Sequence, residues 1–379
     1  MMRIIAIFFY VILSFSAYAQ ETTDTVRSIA DHTPPRNINK KLSASLLVVG
    51  GYGVSLTDSV GYNEIHSLKD SVVNNTFYLR YVRLSARYQL TNKLEAGVLA
   101  NLADFKSNPQ NKVLENAFIR YKMNNFINLQ FGQFRPFFGI EDMYAFEQHK
   151  SYYWSNQYNL FNKNNWMSFQ LGASLFGSLE SIKVPLKYYF TVYNGNGKNM
   201  DIDNDNHKDF SARLEYDIAK NISLGTNFAT TFINKKNVGA FTADLRTLHK
   251  LNNRWEFETE SSYAYGHNIV DFLSSNTPVS NIENYRMSGL YILPIARYRT
   301  RTPLMRGLEF SCRWETLTEN MDINPNPRNT LAPMVSLVFA ENYAAKFSLI
   351  GVIDKYKYNI AGTSKYDQSR IIAQFQYRF

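Results

Sequence analysis

The sequence predicts an all-β protein: a transmembrane up-and-down antiparallel β-barrel of about sixteen strands. Three observations predict it. About sixteen segments alternate apolar and polar residues, the period of two that places successive side chains on opposite faces of a strand. The connections between them alternate short and long. Beyond residues 4–15 no apolar run approaches the roughly 20 residues of a spanning helix. With a mean hydropathy of −0.31, that excludes a helical membrane protein.

Read from the start, residues 1–19 are expected to be a signal peptide. Arg3 supplies the positive charge, residues 4–15 the short apolar run, and Ala17-Tyr18-Ala19 before Gln20 a small-x-small cleavage site. No Cys follows that site, which argues against a lipid anchor. Residues 20–41 are polar, carry Pro34-Pro35, and read as a flexible periplasmic lead-in. Residues 42–379 are expected to form the barrel. Cys312 is the single cysteine, so a disulfide-stapled secreted domain is excluded. The net charge of +9 permits anionic solutes or lipid head groups without requiring them. Export argues against nucleic acid as a partner.

The strand-like segments begin near Ser43, Thr76, Lys93, Val113, Ile127, Trp166, Val184, Phe210, Ile222, Val238, Arg254, Tyr285, Met305, Leu331, Ala344 and Ser369. Thr91-Asn92, Asn124-Asn125, Ala219-Lys220-Asn221, Leu251-Asn252-Asn253 and Glu341-Asn342 are short connections. Asn tolerates positive φ and suits such hairpins. Residues 55–75, 134–165, 194–209, 266–283, 316–330 and 354–368 are long connections, and the one near 233–237 is a short exception. Outer-membrane barrels show this asymmetry of tight periplasmic turns and longer external loops.

Within strands, Phe210, Ala212, Leu214 and Tyr216 alternate with Ser211, Arg213, Glu215 and Asp217. Leu308, Phe310, Cys312 and Trp314 alternate with Glu309, Ser311, Arg313 and Glu315. A soluble sheet turns its polar face to water. In a membrane every backbone group must pair, so the sheet closes and the polar face turns inward. About sixteen strands leave an aqueous lumen. The 26 Tyr and 27 Phe suit aromatic girdles at the two interfaces. The final segment places Ile371, Ala373, Phe375, Tyr377 and Phe379 on one face. Its terminal aromatic resembles the C-terminal signature of bacterial outer-membrane barrels, so Phe379 is the expected assembly signal, read by the barrel assembly machinery.

Two motifs carry a more specific resemblance. The first is Gly132-Gln133-Phe134-Arg135-Pro136-Phe137-Phe138-Gly139. The second is Tyr193-Asn194-Gly195-Asn196-Gly197, followed by an Asp/Asn-rich loop and then Lys208-Asp209-Phe210-Ser211-Ala212-Arg213-Leu214. Both resemble the phosphate-selective porin O and P family of Gram-negative bacteria. Phe77-Tyr78-Leu79-Arg80-Tyr81-Val82-Arg83-Leu84 is a looser match to an early Arg-rich strand. The resemblance implies a sixteen-stranded barrel in the outer membrane, a homotrimer, and a long loop folded into the channel. It implies passive diffusion of small hydrophilic solutes, with an anion preference of phosphate type as the sharper expectation.

The loop over 134–165 is the expected constriction, with Arg135, His149, Lys150 and Lys163 able to meet an anion. Strand parity points Arg83, Arg87, Arg120, Lys122, Lys187, Arg213, Arg246, Arg297, Arg299, Arg313, Lys346 and Arg370 inward. The same face carries Glu95, Glu215, Asp217, Asp244, Glu256, Glu258, Glu260, Glu309 and Glu315, so wall pairing competes with solute binding. The expected solute pathway is Arg83, Arg87, Arg120, Lys122, Arg135, Lys150, Lys187, Arg213, Arg297 and Arg299. Asp201, Asp203 and Asp205 resemble a calcium loop. Asn206 stands where Gly is needed and Ala212 where Glu is needed, which leaves at most one surface calcium site. No enzyme signature and no cofactor motif is present. The alternatives are an adhesion barrel acting through its external loops and a barrel hydrolase with rim chemistry.

Overall fold

A computed structural model describes residues 42–379 except 68–71, 107, 109–111, 201, 204–205, 276–280 and 303. The signal-peptide and lead-in readings over 1–41, and Asp201 and Asp205 of the acidic run, lie outside the described residues.

Sixteen strands form one closed barrel. The first eight are β1 (Leu42–Ser55), β2 (Asn75–Gln89), β3 (Leu94–Asn101), β4 (Leu114–Lys122), β5 (Asn128–Phe134), β6 (Gln170–Ser178), β7 (Leu186–Tyr193) and β8 (Asp209–Ala219). The second eight are β9 (Ile222–Ile233), β10 (Lys236–Lys250), β11 (Trp255–His267), β12 (Arg286–Arg299), β13 (Gly307–Thr318), β14 (Arg328–Val338), β15 (Ala345–Tyr356) and β16 (Gln368–Arg378). Each pairs antiparallel with the next, and β16 closes on β1 from Leu47↔Arg378 to Ser55↔Arg370. Closure removes the sheet edges that lipid could not satisfy. Phe379 exchanges backbone hydrogen bonds with Leu46, which completes that seam.

The burial pattern is inverted relative to a soluble protein. Phe210, Leu214, Phe257, Phe310, Trp314 and Phe375 are exposed on the outer face. Their neighbours Arg213, Glu215, Glu258, Glu309, Arg313 and Gln374 are buried inside. An outer face of this kind is stable in hydrocarbon, where burying each such Phe or Leu contributes about 1.5–3 kcal/mol. Outside β4–β9 it forms an apolar groove of about 730 Å³ lined by Phe131, Phe190, Phe210 and Phe228.

The expected strand starts agree with the structure to within four residues. The widest gap is at the sixth strand, which begins at Gln170 rather than Trp166. Trp166 is fully buried and donates its indole N–H to the His267 carbonyl at 3.0 Å, so loop packing overrides its strand preference.

One irregularity matters for the lumen. The β1–β2 register slips between Val49↔Tyr81 and Gly50↔Leu79, so Arg80 has no opposite partner. Such a bulge re-aims side chains. Phe77 and Leu79 point outward before it, Leu84 and Tyr88 after it, and Arg80 and Tyr81 both turn inward.

Candidate functional site

The site is built by the loop over residues 135–169, which enters the lumen. Its entry depends on backbone chemistry. Gly139 holds φ +81°, a left-handed conformation that favours glycine. Its N–H donates to Asn227 Oδ1 on β9 at 3.0 Å, so the loop reaches the wall within five residues of leaving β5. It then forms α1 (Asn156–Lys163), capped by Ser155, whose Oγ accepts from Tyr158 N at 2.9 Å.

Phe138, Phe146, Trp154, Phe161 and Trp166 from the loop are buried in one cluster with Ala229, Ala240, Ala264 and Met287 of the wall. Small wall residues make room for the helix. A methyl group on Gly289 would stand 2.9 Å from Gln157 Cβ. The loop therefore packs against the β9–β12 side and leaves space on the β2–β4 side.

Wall donors fasten the loop backbone. Gln376 donates to the Glu147 carbonyl at 3.0 Å, Lys346 to His149 at 3.0 Å, and Ser311 to Lys150 at 2.7 Å. Arg80 donates to the Tyr152 carbonyl at 2.9 Å and Arg313 to Tyr153 at 2.7 Å. Inside the loop, Glu141 accepts from both the backbone N–H and the hydroxyl of Ser155. Asp142 accepts from the Tyr158 hydroxyl at 2.9 Å. Burial pushes the Glu141 carboxyl up to about 8, against the Arg313 charge and the Ser155 bonds. Burial likewise raises Asp142 to about 6, with Arg135 opposing.

The β8–β13 wall is charge-compensated. Arg213 is buried, with its guanidinium 2.7 Å from Asp244 and 2.8 Å from Glu215. Arg297 meets Glu256 at 2.5 Å, Glu309 at 2.7 Å and Glu258 at 2.9 Å. Glu258 also takes Arg246 at 2.8 Å, and Lys150 from the loop.

A polar cavity of about 640 Å³ remains between the loop and β2–β4. Arg80, Arg83, Lys106, Lys112, Arg135 and Lys198 line it, against the carboxylates of Asp104 and Glu115. Arg83 pairs with Glu115 at 2.7 Å and Lys198 with Asp104 at 2.6 Å. Arg80 and Arg135 are held differently. The Arg80 guanidinium lies 4.3 Å from the Tyr153 ring and 5.0 Å from Tyr78, and bonds Gln374 Oε1 at 3.0 Å. Arg135 lies between Trp154 at 4.6 Å and Phe169 at 4.9 Å, and donates to the Tyr144 carbonyl at 2.9 Å. Aromatic faces hold a cation through their quadrupole and leave its net charge in place.

Of the ten pathway residues expected from sequence, Arg83 and Arg135 line this cavity. Lys150, Arg213 and Arg297 belong to the compensated wall. Lys187 is buried 3.2 Å from Glu180, near the short-turn end. Arg120 donates to Gln130 at 2.9 Å and stands 3.9 Å from Glu95. Arg87 is half-buried on β2, Lys122 is exposed at the end of β4, and Arg299 is 4.0 Å from Glu256. His149 packs 4.0 Å from the Trp154 ring, and burial holds it well below the usual imidazole range, with Arg135 and Arg313 adding to the effect. It therefore supplies no positive charge to an anion. Lys163 is exposed on α1. Asp203 pairs with Lys208, and no metal-ligand cluster occurs among the described residues. Arg80, Lys106, Lys112 and Lys198 were not on the expected pathway. The bulge turns Arg80 inward, and two loops, β3–β4 with Lys106 and Lys112 and β7–β8 with Lys198, bring the three lysines to the cavity.

Residues 59–216 match the family model "Phosphate-selective porin O and P", the family that the two motifs resemble. No curated protein matches the sequence. OmpF of Salmonella typhi, solved in complex with daunomycin, is 12% identical with a TM-score of 0.58, covering 91% of this chain and 99% of its own. The anion-selective porin from Comamonas acidovorans is 10% identical with a TM-score of 0.57, over 89% of this chain and 99% of its own. OmpT of Vibrio cholerae, an outer membrane protein described in trimer form, is 10% identical with a TM-score of 0.56, over 89% and 99%. At such identity these structures share the fold. With the family match, they support an outer-membrane channel for small solutes and point to a channel rather than an enzyme.

Proposed function

We propose that this protein is an outer-membrane porin through which small hydrophilic solutes diffuse passively, with a preference for anions. One observation carries the preference: six cationic side chains against two carboxylates line the cavity left by the inner loop. A narrow passage with low-dielectric walls focuses such a field, raises the local anion concentration and depletes cations. Arg80 and Arg135, with Lys106 and Lys112, carry the excess, because no carboxylate pairs with any of the four among the described residues. Diffusion down a gradient needs no cofactor and no energy source.

In this reading the short turns face the periplasm and the long loops face outward, after export with signal cleavage. A homotrimer is the proposed assembly, supported by the trimer form of one structural neighbour. Conductance of the purified protein in a planar bilayer under a KCl gradient tests the function. Steady channels with a chloride-favouring reversal potential support it. Folded barrels without conductance contradict it, and a potassium-favouring potential contradicts the preference.

A further inference from the structure

The two sides of the cavity carry different chemistry. The β2 side presents Arg80 and Arg83, the first on tyrosine faces and the second 4.0 Å from the Tyr81 ring. The opposite side is α1 and the residues after it, which present Asn159, Asn162 and Asn165. Their spacing of three places them along one face of the helix and its extension. No hydrogen bond ties any of these three side-chain amides to a described residue, whereas Asn156, one step earlier in the same spacing, is bonded to Thr330 Oγ1 at 2.9 Å.

A guanidinium recognises a carboxylate through a fork of parallel hydrogen bonds. An amide offers two donors and an acceptor, the complement of a hydroxyl that both donates and accepts. A lone phosphate or acetate uses the first side alone, and a neutral sugar uses the second alone. We propose that the cavity is a binding subsite for polyhydroxylated carboxylates, sugar acids of the hexuronate kind: the carboxylate on Arg80, beside an Arg83 that Glu115 already holds, and the hydroxyls on the asparagine row. About 640 Å³ accommodates such a solute together with water. The proposal rests on the porin reading for how the solute arrives, but not for whether it binds.

The test separates the two. The purified full-length barrel in detergent is titrated with glucuronate, acetate, glucose and inorganic phosphate by calorimetry, and the same solutes are scored for current block in a bilayer. Expected is a glucuronate dissociation constant about tenfold below those of acetate, phosphate and glucose, the factor that 1.4 kcal/mol of added hydroxyl recognition produces. In the Asn159→Ala/Asn162→Ala variant that advantage over acetate is expected to vanish. Alanine favours the helix, so the fold is kept. Arg80→Gln is expected to weaken glucuronate and acetate together. Glucuronate binding no tighter than acetate, or an advantage that survives in the asparagine variant, overturns the proposal. Tight glucuronate binding by a barrel that conducts nothing upholds the subsite and overturns the porin reading instead.

Discussion

The β8–β13 wall and the β2–β4 side of the lumen both present arginines, and only one of them presents charge. On the wall, Arg213 is closed in by Asp244 and Glu215, and Arg297 by three glutamates. On the other side Arg80 and Arg135 sit on Tyr, Trp and Phe rings and bond to carbonyl and amide oxygens. A carboxylate cancels a guanidinium, whereas a ring positions it without cancelling it. A count of lumenal arginines is therefore a poor guide to selectivity. What holds each one decides.

The comparison breaks first at the wall. Arg213→Met leaves Asp244 and Glu215 buried without their cation, which should destabilise the barrel by about 3–5 kcal/mol. A urea or heat titration in detergent measures it, and the anion preference of the folded fraction should be retained. On the other side, Arg80→Gln should leave folding nearly intact and reduce the anion permeability about threefold. That follows from roughly 0.7 kcal/mol for a unit charge at about 6 Å in water-like surroundings. Equal loss of stability in both variants would erase the distinction.

The inner loop adds a pH dependence. Burial raises Glu141 to about 8, above its value in an unfolded chain, so its protonated form is favoured in the folded loop. Its stabilising contribution is complete below the unfolded value of about 4.5, falls by about 1.4 kcal/mol per pH unit above that, and is fully lost once pH passes about 8. Intrinsic-rate-corrected hydrogen exchange over 140–158 should quicken between about pH 5 and 8 and level off above that, and Glu141→Gln should flatten the change. The smallest effect concerns the outer face. Cys312 alternates with buried Ser311 and Arg313 and therefore faces lipid. A charged maleimide should fail to label it in vesicles, where a lipid-soluble one succeeds.

Much of this was legible in the sequence. Strand parity on β8, β13 and β16 gave the right face for Arg213, Arg313 and Gln374, because a two-residue period is a local property. The length of the 135–169 loop announced an insertion. Other features were not legible. Parity fails at a bulge, and nothing in Tyr78-Leu79-Arg80-Tyr81 marks where the extra residue falls. Partner identity is non-local: Arg213 meets Asp244 from β10, and Arg135 meets Trp154 and Phe169 from its own loop. The small residues Ala240, Ala264 and Gly289 read as ordinary strand positions until the helix they accommodate is in place.

The central claim is that ring-held arginines, and not carboxylate-held ones, contribute to the sign of the channel. The most direct measurement is the reversal potential under a KCl gradient for the unaltered protein, for Arg80→Gln/Arg135→Gln and for Arg246→Gln. Arg246 makes a suitable control, because Glu258 keeps Lys150 and Arg297 when it is removed. The account predicts a chloride-favouring potential that falls markedly in the double variant, where Lys106 and Lys112 keep the remaining excess, and holds in Arg246→Gln. A potassium-favouring potential in the unaltered protein, or an equal shift in Arg246→Gln, would contradict it.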